Sequence, residues 1–277
     1  MPPRIATSDE VRELRHGLDA DQFVLAYQPK VDMRRGRVVG AEALVRWQHP
    51  QRGTLQPAAF IPLIEDHVLV QQLDSWALGE ALRQAAVWAA HGMPLPVSVN
   101  MSPRTLLQPG FADQLAAALK RHGQGGTPLL ELEILESTAI DDLAQMATVI
   151  GQCEALGVAT ALDDFGTGHA SLTWLRQLPV TVLKLDRSFV RGILHNDADR
   201  AIVQGILFMA QRLGRRAIAE GVESAAHGDA LLSLGCTVGQ GFGIARPMSP
   251  GELPAWTTGF ELAPPWGRTE DLPKSES

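Results

Sequence analysis

Apolar residues along the 277-residue chain fall into two recurring patterns. Short, nearly continuous apolar runs such as LPVSV, LLELEIL, VATAL and TVLKL read as strands buried on both faces. Longer stretches with apolar residues three and four apart read as amphipathic helices packed against them. Ser8 is a candidate N-cap for a short helix through Leu18. FVLAYQPKVD and RVVGAEALVRW then pair as a hairpin about a turn at Arg34 to Gly36. An apolar-periodic stretch follows over 57–90, then a strand over 95–100, a helix over 111–121 and a strand over 129–135. The alternation continues with a helix over 142–156, strands over 158–163 and 181–185 and a helix over 199–213. A strand over 216–220, a helix over 225–234 and a strand over 237–240 complete it. Such alternation predicts an α/β fold around a parallel sheet.

Polar residues interrupt the apolar runs at one place in particular. Glu42, Asn100, Glu133, Asp163, Lys184, Glu220 and Gln240 each sit at or near the end of a run. In a parallel α/β barrel the strand ends converge on one face, where ligands and catalytic groups gather. The pair Asp163–Asp164, followed by the glycine-bounded loop FGTG, is the sharpest instance. Read alone, it is equally an Asp-rich turn capping the next helix. Read with the other ends, a burial of several carboxylates calls for neutralisation by cations. An oxygen-rich set with an asparagine suits magnesium or manganese, and none of the eight histidines forms a metal-ligand motif.

Composition narrows the alternatives. The chain carries 24 basic and 31 acidic residues, a net charge of −7, which argues against binding a nucleic-acid duplex. With 45% hydrophobic residues a sizeable core is available, yet no apolar stretch is long enough for membrane insertion. The opening MPPRIATSDEVREL lacks the apolar centre of a signal peptide, and Cys153 and Cys236 lack metal-ligand spacing; a reduced, cytoplasmic protein is expected. Residues 1–19 read as an N-terminal helix or linker stub, 20–262 as one barrel domain and 263–277 as a disordered tail. GQGFG lacks the spacing and context of a dinucleotide fingerprint. Trp47, Trp76 and Trp88 read as core or interface anchors.

The segments YQPKVD (27–32), EALVRW (42–47), SVNMS (98–102), ELEILES (131–137), LDDFGTGHASL (162–172), LKLDRSFV (183–190), AIAEGVE (217–223) and GQGFGIARPM (239–248) occur in the order seen in EAL-domain proteins. The chain therefore resembles an EAL-domain cyclic di-GMP phosphodiesterase over roughly residues 20–250. The resemblance implies a modified TIM (β/α)8 barrel with one antiparallel strand, and hydrolysis of cyclic di-GMP to linear pGpG with two divalent cations, Mg2+ or Mn2+. Glu42, Asn100, Glu133 and Asp163 match ligands of one ion; Asp163, Asp164 and Glu220 match those of the second, with Asp163 as the bridge. Lys184 matches the lysine that contacts the attacking water, where it would orient the water, help deprotonate it or stabilise developing charge. Gln240 matches a water-positioning group, and Gln28 and Arg46 match phosphate or guanine contacts. Glu136 and Glu223 match residues that brace the DDFGTG loop, and Gly166 and Gly168 give that loop its conformational freedom.

The resemblance further implies a homodimer and fusion to a sensory or GGDEF-type module. Two departures stand out: Leu135 where many members have Thr, and His169 in GHAS where GYSS is common. Neither removes an implied ligand. A receptor that binds without hydrolysis and an interaction scaffold on the same barrel are the alternatives, and both typically lose part of the set retained here. A two-carboxylate glycosidase would not need the asparagine and the lysine.

Overall fold

The structure is a computed structural model and describes residues 7–123, 128–135, 142–166 and 171–266. Its first helix, α1 (Ser8–Asp19), is capped by Thr7 and not by Ser8. The reason is spacing: Thr7 stands three residues before Glu10, so its hydroxyl accepts from the Glu10 N–H while Glu10 accepts from the Thr7 N–H at 3.0 Å. Ser8 has Val11 at the corresponding place and cannot form that reciprocal box.

Strands β1 (Phe23–Asp32) and β2 (Arg37–His49) form the expected hairpin. Asp32 Oδ1 accepts from the N–H groups of Arg34 and Arg35, both at 3.0 Å, and folds the turn locally. The short β3 (Gly53–Leu55) pairs with the end of β2. Two 3-10 turns, Pro57–Ala59 and Ile61–Leu63, precede the long α2 (Leu69–Ala90), so only the latter part of the predicted periodic stretch is α-helix. Prolines at 57 and 62 account for this, because each removes a backbone donor and favours the first turn of a new segment.

The alternation then runs β4 (Val97–Asn100), α3 (Pro103–Leu106), α4 (Phe111–Arg121), β5 (Leu130–Leu135), α5 (Leu143–Ala155), β6 (Ala159–Phe165) and α6 (Ser171–Gln177). It ends with β7 (Val182–Leu185), α7 (Arg187–Gly192), α8 (Asp197–Arg212), β8 (Arg216–Ala219), α9 (Ala225–Ser233), β9 (Val238–Gly239) and α10 (Leu253–Leu262). Hydrogen bonding follows the order β1-β9-β8-β7-β6-β5-β4-β2, and a β1–β2 pairing closes the ring into an eight-stranded barrel with β3 outside it. Within the ring only β1 runs against its neighbours. The barrel with one antiparallel strand is therefore as expected.

Alternation along each strand separates two environments. Outward residues such as Leu25, Tyr27, Val97, Leu132, Leu162 and Leu183 pack under the helices in the main core. A second cluster, built on Leu14, Phe23, Trp47 and Phe60, joins α1 to the barrel, with the Phe23 and Trp47 rings stacked at 5.4 Å. Inside the barrel Ala161, Val182 and Ile218 form a small apolar layer. Polar residues hold many of the other inward positions, and those near the carboxyl ends of the strands define the site.

Of the tail expected from Ala263, Trp266 is packed: its indole is buried and donates from Nε1 to Ala225 O at 3.0 Å. The rest of the tail lies outside the described residues. No helix among the described residues is long and apolar enough to cross a membrane.

Candidate metal centre at the carboxyl end of the barrel

Inward residues of four strands or strand ends converge on one ammonium group. Lys184, on β7, is fully buried. Its Nζ lies 2.7 Å from Glu133 Oε2 on β5, 2.9 Å from Asp163 Oδ1 on β6, 2.7 Å from Glu220 Oε1 after β8 and 3.6 Å from Glu42 Oε2 on β2. Asn100, the last residue of β4, donates from Nδ2 to Glu42 Oε1 at 2.8 Å. Gln240, following β9, donates from Nε2 to Glu42 Oε2 at 2.7 Å and to Gln28 Oε1 at 3.0 Å. Gln28 Nε2 in turn donates to Ala245 O at 2.9 Å. The buried Arg46 donates from Nη1 to Val45 O at 2.9 Å, and burial lowers its pKa against the opposing pull of Glu42.

Asp163 and Asp164 reach the same centre although neighbours in a regular strand face opposite sides. The register with β7 slips here: Leu162 pairs with Leu183 and Phe165 with Leu185, so three steps on β6 match two on β7. The result is a bulge, with Asp164 in the left-handed region at φ 52°. Asp and Asn tolerate that conformation better than other side-chain-bearing residues do. Gly166 follows at φ +103°, where a Cβ would stand 2.9 Å from the Phe189 ring. Gly166 thus occupies a backbone conformation that side-chain-bearing residues rarely adopt; Gly168, His169 and Glu136 lie outside the described residues.

The electrostatics are those of a centre with excess negative charge. Burial raises the pKa of Glu42 and of Asp163, and each is raised further by the Glu133 carboxylate. Glu220 is raised well above the usual carboxylate range by burial, with Asp163 and Glu42 adding to it against Lys184. Asp164 is pushed up to about 7 by burial, by Asp163 and by a hydrogen bond with Asp186. Glu133 alone goes down, to about 2: burial opposes its charge, but Lys184 and Lys30 outweigh it. Lys184 is burdened by desolvation, yet Asp163, Glu133, Glu220 and Glu42 overcome that and raise its pKa. In this state the lysine is a firmly held cation.

Five carboxylates against this one shared lysine leave charge that hard cations are suited to balance. Glu42, Glu133 and Asp163 each offer an oxygen within 4.8 Å of the others, and so do Asp163, Asp164 and Glu220. Asp163 belongs to both groups. Gln240 Oε1 is buried and has no hydrogen-bond partner among the described residues, which leaves it as a further oxygen donor. An all-oxygen set of this kind fits magnesium or manganese better than zinc.

Four polar groups in or beside the site escaped sequence reasoning. Lys30 and Glu131 lie inside the barrel below Glu133, and period-two alternation from Gln28 and from Glu133 was the available signal. Asp186 caps α7, accepting from the Ser188 N–H at 2.8 Å, and bonds Asp164. Asp74 on α2 accepts from the Ser102 N–H at 3.0 Å, the Ser102 hydroxyl at 2.6 Å and the Thr105 hydroxyl at 2.5 Å, thereby anchoring the segment after Asn100. Glu223, expected to brace the loop, is half exposed and its ion pair among the described residues is with Arg191 Nε at 3.1 Å. A cavity of about 1090 Å³ lies at the opposite mouth of the barrel, lined by Lys30, Ser98, Glu131 and Arg216 among others. It is remote from the carboxylate centre.

The EAL domain family matches residues 11–247. A bifunctional diguanylate cyclase/cyclic di-GMP phosphodiesterase of Pseudomonas aeruginosa, MucR, is 40% identical over 244 residues, covering 88% of this chain and 36% of the relative. A second cyclic di-GMP phosphodiesterase of the same organism is 40% identical over 234 residues, covering 84% of this chain and 40% of the relative. The chain thus spans well under half the length of these relatives. A solved structure described as the PaMucR phosphodiesterase in complex with c-di-GMP superposes with a TM-score of 0.82 at 40% identity, covering 88% of this chain and 99% of that one.

Proposed function

This chain belongs to the EAL domain family, and from that premise we propose that it is a metal-dependent phosphodiesterase that hydrolyses cyclic di-GMP to linear pGpG. The observation that carries the reading is the convergence of Glu42, Glu133, Asp163, Asp164 and Glu220 in two carboxylate groups that share Asp163. Glu42, Asn100, Glu133 and Asp163 would hold one Mg2+ or Mn2+, and Asp163, Asp164 and Glu220 a second. When bound, such a pair supplies activation of water at neutral pH and neutralises charge on the phosphoryl oxygens.

The chain's own groups do the rest. Lys184 keeps its ammonium inside the carboxylate ring, where it orients an attacking water and offsets negative charge as water adds across one phosphodiester bond. Without metal, the surrounding carboxylates hold this lysine in its charged form, which suits it to orienting the water and offsetting charge. Gln240, braced by Gln28 and Glu42, presents its free Oε1 as a positioning acceptor. Arg46, at the end of the site nearest Trp47, meets a phosphate or guanine edge. A receptor that binds without turnover would have no use for the complete acidic set with its lysine. The relatives' greater length supports an additional signalling module in the full protein.

The test is chromatographic resolution of products from cyclic di-GMP with Mg2+, with Mn2+ and with chelator. Linear pGpG that appears only with metal is the expected result. Tight binding without product would favour the receptor reading, and neither binding nor product would sink both.

A further inference from the structure

A line of alternating charges runs through the barrel interior, from the mouth opposite the metal centre up to Lys184. Arg216 Nη2 is 3.2 Å from Glu131 Oε2; Lys30 Nζ is 2.8 Å from Glu131 Oε1 and 2.6 Å from Glu133 Oε1; Glu133 Oε2 is 2.7 Å from Lys184 Nζ. Lys30 is 4% exposed and Glu133 fully buried, so each ion relies mainly on its protein partners. The fold makes room for this contact. Lys30 stands on the antiparallel β1 with Gly40 opposite it in register, and the inward residues beside its path, Ser98 and Ala159, are small. A side chain on Gly40 would meet Pro96 O at 3.2 Å and approach Lys30 Cδ at 3.9 Å.

The two oxygens of Glu133 therefore have different fates. Oε2 faces Lys184 and the other carboxylates, while Oε1 is taken by Lys30 from below. We propose that Lys30 is a positioning residue that restricts Glu133 to one ligating oxygen and thereby favours Mg2+ or Mn2+ over Ca2+. The inference rests on the metal-centre reading given above. Its physical basis is coordination preference: magnesium-like ions require compact octahedral sites, whereas calcium accepts six to eight oxygens and readily takes a carboxylate in bidentate fashion. Both oxygens accept from a lysine, but with the Lys30 ammonium 2.6 Å from Oε1 a cation bound through both oxygens would meet that second charge, whereas one bound through Oε2 alone would stand further from it. Partners of this kind, which touch a ligand but not the ion, typically change metal affinity by about 10–100-fold when removed.

The test is calorimetric titration of the metal-free protein with Mn2+ alone and with Ca2+ alone. Lys30→Met strands Glu131 and Glu133, so Lys30→Met/Glu131→Leu is measured alongside it and serves where the single variant does not fold. Glu131→Gln is the control that leaves Lys30 on Glu133. The expected result is a fall of at least tenfold in the preference for Mn2+ over Ca2+ in both Lys30 variants, with Glu131→Gln within about threefold of the unsubstituted protein. A purely structural role would lower the melting temperature and leave the ratio unchanged; an unchanged ratio, or an equal fall in Glu131→Gln, overturns the proposal. Failure of the unsubstituted protein to bind Mn2+ would instead overturn the metal-centre reading on which it stands.

Discussion

Replacing Lys184 by Met tests how the carboxylate centre is held together before any metal arrives. The substitution keeps much of the side chain's volume and removes a cation that touches Glu133, Asp163 and Glu220 within 3 Å and Glu42 at 3.6 Å. At an effective dielectric of about 20, one pair at ~2.8 Å has a gross attraction of about 6 kcal/mol. Most of that offsets the desolvation of groups as buried as these, so the net loss is far below the sum over four contacts. Removing one member of a buried ion pair costs about 3–5 kcal/mol because the other is left uncompensated. For a domain of this size that corresponds to a drop of roughly 6–12 °C in Tm. Differential scanning calorimetry in chelator should show this drop. Saturating Mn2+ should recover most of it, since divalent charge replaces the missing ammonium among the same oxygens. Turnover should stay at least about 100-fold down in Mn2+, because the group that orients water is absent, while cyclic di-GMP binding weakens much less. A Tm in chelator that is unchanged or raised would refute the reasoning, for it would mean that Lys184 was not balancing the carboxylates.

Asp163→Ala removes the oxygen donor common to both carboxylate groups; metal-dependent formation of pGpG should be abolished while the circular dichroism spectrum is retained, and persistent turnover would contradict the shared site. Stability in chelator should fall as pH rises from about 4 to about 7, because Asp164, raised from 3.8 to about 7, keeps its proton in the folded state after the unfolded chain has released it. The raised Glu42, Asp163 and Glu220 act in the same direction, and Glu133, lowered to about 2, contributes its opposite dependence only at lower pH. Asp164 alone sets a ceiling of ~4 kcal/mol, reduced to ~2 kcal/mol by its remaining solvent contact; thermal melts across this range in chelator would show it, and a Tm that rises instead would reverse the assignment. Asp74→Ala deletes three hydrogen bonds to the segment after Asn100 and should cost about 2–3 kcal/mol by urea titration, with a weaker Mn2+ response of turnover.

Much of the architecture was legible because it depends on local periodicity. The helix over 111–121 and the hairpin at 23–49 follow from side-chain patterns that each segment carries by itself. Where the expectation slipped, a short-range competitor was overlooked: Thr7 with Glu10 forming a capping box in place of Ser8, or the prolines at 57 and 62 breaking a periodic stretch into 3-10 turns. The seven polar strand ends were legible as candidates for the same reason, since each is a polar residue where its strand is otherwise apolar.

What the sequence determined, then, is which strands form, which residues they turn inward, and that those residues are mostly hard oxygen donors. It did not determine which of them meet. Lys184 is distant in sequence from every carboxylate it touches, and only ring closure through β1 and β2 brings Glu42 opposite it. The Asp163–Asp164 pair makes the point most sharply: a regular strand would send one carboxylate into the barrel and the other out under the helices. The slipped register against β7 and the left-handed backbone at Asp164 turn both into one centre. That bulge depends on pairing with a strand some twenty residues later, so no local pattern encodes it. The same holds for Lys30, whose place beneath Glu133 follows from the direction of β1 and the space left by Gly40. Periodicity is a property of a segment, whereas charge compensation is a property of the closed barrel.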